Sequence, residues 1–401
     1  MNQEEKNRII YNLLHKVSGV IQKENLEKRL KSGEKLRIKF GIDPTGSQIH
    51  IGHGVPILKL REFQKLGHQV VIIIGDSTAQ VDTSDKNAER PMLTREETRE
   101  NAKNYLAQFA KILDIEQVEV RYNSEWMDQT TFNSVGELAK HFSVAEMLDR
   151  ENFSKRFDGG IRISLQEFLY PVMQYDSVMM QADVELGGND QYFNLLAGRR
   201  LQEAFGQKKQ DIMTFTLIEG TDGRKMSKTY KNFVGLDFSP TDMFVKIMEI
   251  SDLIIKYFES CTDIYLDEIS TYEARLQSGE NPKNIKLELA SKIVTLYHGE
   301  KEAEEAQKYF QKVLQNGDIP DEKDIAKKDI ACDTEHIMLV TLLVASGLVK
   351  NSTEARNALA GKSVKVDNEI QSDPKFEVKL SGSQYILLQV GKKKFVMVKR
   401  K

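Results

Sequence analysis

The stretch from residue 36 to 74 constrains the fold more than any other part of this chain. Leu36, Ile38, Phe40 and Ile42 alternate with Arg37, Lys39 and Gly41, a period of two that reads as a strand. It runs into the turn Asp43-Pro-Thr-Gly46. A helix from about Gly54 to Leu66 follows, with Pro56 early, where proline is tolerated, and Gly67 at its end. Val70 to Ile74 is an unbroken apolar run and reads as a buried strand. Strand, helix and strand in that order form the building block of a parallel sheet.

The same alternation continues. Helices are expected at about 94–112, 133–150, 163–180 and 190–206, and strands at 118–122, 182–186 and 211–218. Residues 33–235 therefore read as an α/β domain with a Rossmann-like, doubly wound parallel sheet. Ahead of it, residues 1–32 are charged and carry Ile10, Leu13, Leu14 and Val17 at helical spacing, a helical arm. Residues 236–330 are charged and almost wholly helical in pattern. From 335 to 401 a helix to Leu348 and a second at 352–359, capped from Ser352, Thr353 and Glu354, precede short strands, a small α+β domain. A length of 401 residues is too great for one core, which agrees with several domains.

No apolar run approaches the roughly 20 residues of a membrane span. The opening MNQEEKNRII is polar and acidic, unlike a secretory signal. Cys261 and Cys332 offer neither a metal pattern nor a disulfide framework, and a reducing cytoplasm is the plain expectation. The net charge is −3, but residues 350–401 hold twelve Lys/Arg against five Asp/Glu, +7, which leaves −10 on the rest. A basic tail on an acidic body is a common mark of nucleic-acid contact, and also of a merely solvated face.

Two constellations carry chemistry. In the first, Gly41 ends the first strand, Asp43 follows two residues on, and His50 and His53 flank Gly52 where the first helix begins. Open parallel sheets bind nucleotides at that junction, where a helix N-terminus presents free N–H groups to phosphate and imidazoles can donate to a phosphate oxygen. In the second, Lys225, Met226, Ser227, Lys228 and Thr229 follow a glycine turn. Two mobile ammonium groups three residues apart can neutralise a separating triphosphate, although such a string alone is more often a solvated loop.

His50-Ile-Gly-His53 resembles the HIGH signature of class I aminoacyl-tRNA synthetases, and Lys225-Met-Ser-Lys228-Thr229 resembles their KMSKS loop. Three further stretches are similar to tyrosyl-tRNA synthetases: Tyr170-Pro-Val-Met-Gln174-Tyr-Asp176, Gly187-Gly-Asn-Asp190-Gln191, and Asp82 to Lys86 and Arg90. Asn123 also matches a family position. The resemblance implies ATP with Mg²⁺, tyrosine and tRNA(Tyr) as reactants, and a homodimer. It implies Thr45, His50, Gly52 and His53 at the phosphates, with Lys86, Arg90, Lys225 and Lys228 on the pyrophosphate, and Met226, Ser227 and Thr229 beside ATP. Asp82, Tyr170 and Gln174 would hold the substrate ammonium and Asp176 the phenol. Gly41, Asp43, Asn123 and Gln191 would lie along the substrate, and Asp190 would meet the ribose. A hydrogen-bonded phenol is how such a site rejects phenylalanine, a discrimination for which this family is the standard example.

Residues 335–401 resemble an S4-like RNA-binding domain, through Leu343 to Gly347, Ser352 to Asn357 and Val364 to Asn368. Lys350, Arg356, Lys362, Lys365, Lys392, Lys393 and Lys394 would then contact phosphate, and 236–330 would form a helical anticodon-binding region. Some spacings depart from the family. Gln174 and Asp176 are two apart where three is usual, and on an α-helix that change rotates Asp176 off the face shared by Tyr170 and Gln174. Lys39 stands where many members carry a tyrosine that touches the phenol. The alternatives are a tryptophanyl-type synthetase and a catalytically weak RNA-binding paralogue.

Overall fold

The computed structural model describes residues 2–46, 49–81, 93–226, 230–316, 318–322, 325–332, 334–391 and 394–401, the side chain of Asn152 excepted. They form two compact units, Met1–Ala303 and Glu304–Lys401.

In the first unit the strands are β1 (Gly19–Ile21), β2 (Arg37–Ile42), β3 (Gln69–Ile74), β4 (Glu119–Tyr122), β5 (Val184–Gly188) and β6 (Asp211–Phe215). Their spatial order is β1-β6-β5-β2-β3-β4. All neighbours are parallel except β1, which is antiparallel to β6. The order reverses between β2 and β5. At such a switch point the connections leave in opposite directions and open a crevice beyond the carboxyl ends of the strands. β3 is buried from Val70 to Ile74, as its uninterrupted apolar run requires.

β2 departs from its alternating pattern, which predicted one polar face. Lys39 is wholly buried. It lies in register with Glu185 of β5, its Nζ is 2.7 Å from Glu185 Oε1, and it donates to Ser177 Oγ at 2.9 Å. A charge enters a central strand when its counter-ion waits on the next one.

The helical arm also holds a surprise. Between the helices Gln3–His15 and Lys23–Ser32, β1 closes the open edge of β6. The expected helices at 133–150 and 163–180 are broken into shorter ones. Ser143 and Ser164 open new helices with capping boxes completed by Glu146 and Glu167. After Pro171 the chain takes a 3₁₀ turn, Val172–Tyr175, before the helix Asp176–Met180. Downstream, the helices Pro240–Met248, Ile254–Cys261, Leu266–Gln277 and Pro282–His298 bury Phe244, Tyr257, Phe258, Leu289 and Ile293.

The second unit holds a five-stranded sheet. Its helices Leu339–Ser346 and Ser352–Ala360 share a core of Leu342, Leu343, Ala355, Leu359, Val364, Leu388 and Val398. The first of these helices starts later than expected, because His336–Met338 pairs as a strand with Glu377–Lys379. The cap of the second is Asn351, whose side chain accepts from Glu354 N. Asp367 and Asn368, with φ of 45° and 74°, form the tight turn between Val364–Val366 and Glu369–Gln371, left-handed conformations that Asp and Asn tolerate.

Candidate active site

A cavity of about 320 Å³ occupies the crevice at the switch point. Its walls include Lys39, Gly41 and Asp43 from β2 and its exit, Gly52 and His53 from the helix Ile51–Lys65, and Tyr170, Gln174 and Asp176 from the broken segment. Glu185, Asp190 and Gln191 come from β5 and the turn after it.

Asp43 ties two walls together. Tyr170 Oη donates to its Oδ2 at 3.0 Å, and Thr78 Oγ1 donates to its Oδ1 at 2.6 Å. Asn123 stands behind, donating to Thr78 Oγ1 at 3.0 Å and accepting from Ser77 N at 2.9 Å. Loss of water raises the Asp43 carboxyl above its ordinary range, and the two hydroxyls offset part of that rise. Gly75 makes room for the cluster: a Cβ there would lie 1.9 Å from Asp43 Oδ1 and 2.1 Å from Thr78 Oγ1.

Asp176 reaches the cavity despite its short spacing from Gln174. The 3₁₀ turn supplies the reason. Between Tyr170 and Asp176 the chain passes through a turn and the tighter winding of Val172–Tyr175, so the rotation of about 100° per residue that would carry Asp176 away does not apply. Trp126 Nε1 donates to Asp176 Oδ1 at 2.9 Å. Desolvation, offset in part by Lys39, pushes the Asp176 carboxyl up to about 7. Along β5 and its turn, Gln191 Nε2 donates to Asp190 Oδ2 at 3.0 Å, and Asn194 holds Gln191 Oε1 at 2.9 Å.

The two histidines are part of the helix start. His50 is the N-cap, and its Nδ1 accepts from Gly52 N at 3.2 Å. His53 Nδ1 accepts from His50 N at 3.2 Å. Acceptance at Nδ1 leaves each neutral ring its proton on Nε2, a donor suited to a phosphate oxygen. Burial lowers the His53 pKa to about 4, so this ring stays neutral at physiological pH. Val234 O accepts from Ile51 N at 2.8 Å and His50 bridges to Gly235, so the helix start is stitched to the chain just beyond the lysine loop. Within that loop Glu219 bridges to Lys225, Lys225 is exposed and Met226 is buried.

Of the expected site residues, Gly41, Asp43, Gly52, His53, Tyr170, Gln174, Asp176, Asp190 and Gln191 line the cavity. Thr45 is exposed and does not, its N–H turning back to Asp43 O at 2.8 Å. Asn123 and His50 act from behind the wall, and Lys225 and Met226 lie beyond it. Asp82, Lys86, Arg90, Ser227, Lys228, Thr229, Lys392 and Lys393 fall outside the described residues. Thr78, Gly75 and Glu185 were not anticipated. A glycine directly after an apolar strand was the available signal for Gly75. In the second unit Lys350, Arg356 and Lys362 are exposed, Lys365 is half-buried, and Lys394 donates to Leu348 O at 2.9 Å. Among the described residues no three His, Cys, Asp or Glu side chains group as metal ligands, and no helix is long and apolar enough to cross a membrane.

Known proteins resemble this chain in sequence and in fold. Residues 31–315 match the family model of class I tRNA synthetases (W and Y), and residues 321–398 match a tyrosine–tRNA ligase SYY-like C-terminal domain. The tyrosine–tRNA ligase of Thermotoga maritima is 46% identical over 403 residues, covering 99% of this chain and 98% of its own. That of Dehalococcoides mccartyi is 43% identical, covering 98% and 99%. The solved C-terminally truncated mitochondrial tyrosyl-tRNA synthetase of Aspergillus nidulans superposes with a TM-score of 0.63 at 20% identity, covering 76% of this chain and 93% of that one, a likeness of fold.

Proposed function

Because the chain belongs to the class I tRNA synthetases of the W and Y group, we propose a role for each wall of the cavity in tyrosine–tRNA ligation. The activity is that of its full-length relatives: tyrosine is activated with ATP and transferred to tRNA. A tryptophanyl activity is not favoured, since the C-terminal match is to a tyrosine–tRNA ligase domain. The tyrosine carboxylate attacks the α-phosphorus, the bond to the β-phosphate oxygen breaks, and pyrophosphate leaves. A terminal hydroxyl of tRNA then attacks the tyrosyl carbonyl and AMP leaves. No protein nucleophile takes part, so the enzyme works by positioning and charge stabilisation.

One observation carries the assignment of roles. Asp176 and the Asp43–Tyr170 pair line the same cavity as the helix start bearing His53. Asp176 accepts from the phenol, while Tyr170 and Gln174, with Asp82, hold the ammonium. His53 and His50, with Thr45, serve the phosphates, Asp190 meets the ribose, and Gln191 contacts the substrate. Lys225 and Lys228, with Lys86 and Arg90, take the charge of the departing pyrophosphate. Mg²⁺ arrives as part of the Mg–ATP substrate.

The helices between β4 and β5 support a homodimer. Phe132, Leu165, Val144 and Phe157 there are 91%, 79%, 66% and 62% exposed, an apolar surface suited to a second copy. In this reading the helices that follow residue 236 serve as the anticodon-binding region and 335–401 as the RNA-binding domain of a cytoplasmic enzyme. Lys327–Ile330, expected within the helical region, instead pair with Met397–Arg400 in the sheet of the second unit. Tyrosine-dependent exchange of labelled pyrophosphate into ATP tests the reading. Exchange with tyrosine but not with phenylalanine or tryptophan is expected. Its absence in folded protein would assign the chain to an inactive RNA-binding paralogue.

A further inference from the structure

The helix Ile254–Cys261 lies outside the cavity wall, yet it grips the base of the lysine loop. Tyr257 is completely buried and donates its hydroxyl to the backbone carbonyl of Glu219 at 2.7 Å. Its neighbour Lys256 holds the Glu219 carboxylate, Nζ to Oε2, at 2.5 Å. Glu219 is in turn the backbone partner of Lys225 in an isolated antiparallel bridge. From the other side Asn232, 2% exposed, donates from Nδ2 to Asp222 Oδ1 at 2.7 Å and to Lys225 O at 3.2 Å.

Lys225 itself is exposed, and among the described residues its ammonium group has no partner. A side chain with four rotatable bonds is placed by its main chain when nothing holds its tip. Here the main chain is held by Glu219, and Glu219 is held by Tyr257. A phenylalanine would fill the core at position 257 equally well, so the hydroxyl is the part that needs explaining. A phenol buried that deeply is retained where it has an acceptor to satisfy.

We infer that Tyr257 is a positioning residue for Lys225: its hydrogen bond to the Glu219 carbonyl fixes the Glu219–Lys225 bridge, and with it the place where the ammonium group meets the departing pyrophosphate. The inference rests on the role given to Lys225 above. It makes the helical segment a support for the second signature motif. Lys256, through its ion pair, serves the same end.

The test is a double-mutant cycle on the full-length enzyme. Adenylate formation is followed in single turnovers, and tyrosine affinity by equilibrium dialysis. Tyr257→Phe is expected to slow adenylate formation roughly tenfold, the loss of one well-placed hydrogen bond, with tyrosine affinity unchanged within about twofold. Lys225→Ala is expected to slow it as well. In the double variant Tyr257→Phe should add nothing, because both changes remove one interaction. Additive losses, or an unchanged rate for Tyr257→Phe, would overturn the inference while leaving the role of Lys225 intact. An unaltered rate for Lys225→Ala would remove that role and the inference together. Should Tyr257→Phe fail to fold, Lys256→Met repeats the cycle from a partly exposed site. A loss that vanishes in the Lys225→Ala background supports the inference, and an additive one overturns it.

Discussion

Tyr170 donates its hydroxyl to Asp43, 127 positions earlier in the chain, and so joins the end of β2 to the segment that carries Gln174 and Asp176. The pair fits only because Gly75 has no side chain. Gly75→Ala is therefore expected to displace Asp43 and Thr78, and with them Tyr170. The KM for tyrosine should rise at least about tenfold, since a misplaced binding group loses on the order of 1–2 kcal/mol. The KM for ATP should move much less. Steady-state pyrophosphate exchange at varied tyrosine and ATP gives both, and equal rises would contradict the assignment.

Asp176 predicts a dependence of stability on pH. Burial lifts its pKa from the ordinary 3.8 to about 7. Between those values the folded chain binds more protons than the unfolded one, so this group's contribution falls as pH rises from about 4 through 7. Asp176→Asn removes the titration and keeps an oxygen for Trp126 Nε1. The melting temperature of the variant should gain on the parent as pH is raised from 5 to 8. A difference that stays flat across that range would show that Asp176 titrates normally.

His53 offers the complementary test on the phosphate side. His53→Asn keeps an acceptor near Nδ1 for His50 N and removes the Nε2 donor. Adenylate formation is expected to slow by about 10²-fold, the usual cost of one donor to developing charge, with tyrosine affinity within about twofold. Stopped-flow measurement of the single-turnover rate decides it. A matching loss of tyrosine affinity would move His53 from the phosphate to the substrate.

The strand–helix–strand unit was legible because β2 alternates, β3 is one apolar run and Gly67 ends the helix between them. The order of the strands, and so the switch point, was not, since it depends on which distant strand pairs with β2. The signature histidines were legible because they sit where a strand becomes a helix. Helix breaks were not. Ser143 and Ser164 look like ordinary polar residues within amphipathic runs, and only the reciprocal bonds of Glu146 and Glu167 turn them into caps. The spacing argument that turned Asp176 away from Tyr170 and Gln174 assumed an α-helix, whereas Asp176 lines the cavity with them. Sequence spacing converts to a face only once the residues per turn are known, and a 3₁₀ turn changes that number. The Lys39–Glu185 pair was hidden because its partners lie 146 positions apart, and periodicity reads one strand at a time.

That pair makes its own prediction. Lys39→Met leaves Glu185 buried without its counter-ion, its carboxylate keeping the Ser177 and Gln210 donors among the described residues. The fold should lose about 3–5 kcal/mol. Adding Glu185→Gln removes the orphaned charge and should restore most of the loss. Urea denaturation of the single and double variants measures both. A double variant no more stable than Lys39→Met would mean that packing, not charge, sets the cost.

The second unit predicts a graded response to salt. Arg356 and Lys362 are exposed, whereas the Lys394 ammonium already donates to Leu348 O and lies 3.6 Å from Glu354 Oε1. An ammonium committed within the protein releases fewer counterions when RNA arrives. Arg356→Ala should weaken tRNA binding and reduce the slope of log K against log salt by about 0.7–0.9, the contribution of one phosphate. Lys394→Ala should change the slope less and lower thermal stability more, since it removes an internal hydrogen bond. Neither change should alter pyrophosphate exchange, which needs no tRNA. Filter binding of tRNA at several salt concentrations, run beside melting curves, separates the two residues. If Arg356→Ala left the slope untouched, this face of the domain would not be where RNA phosphates are held.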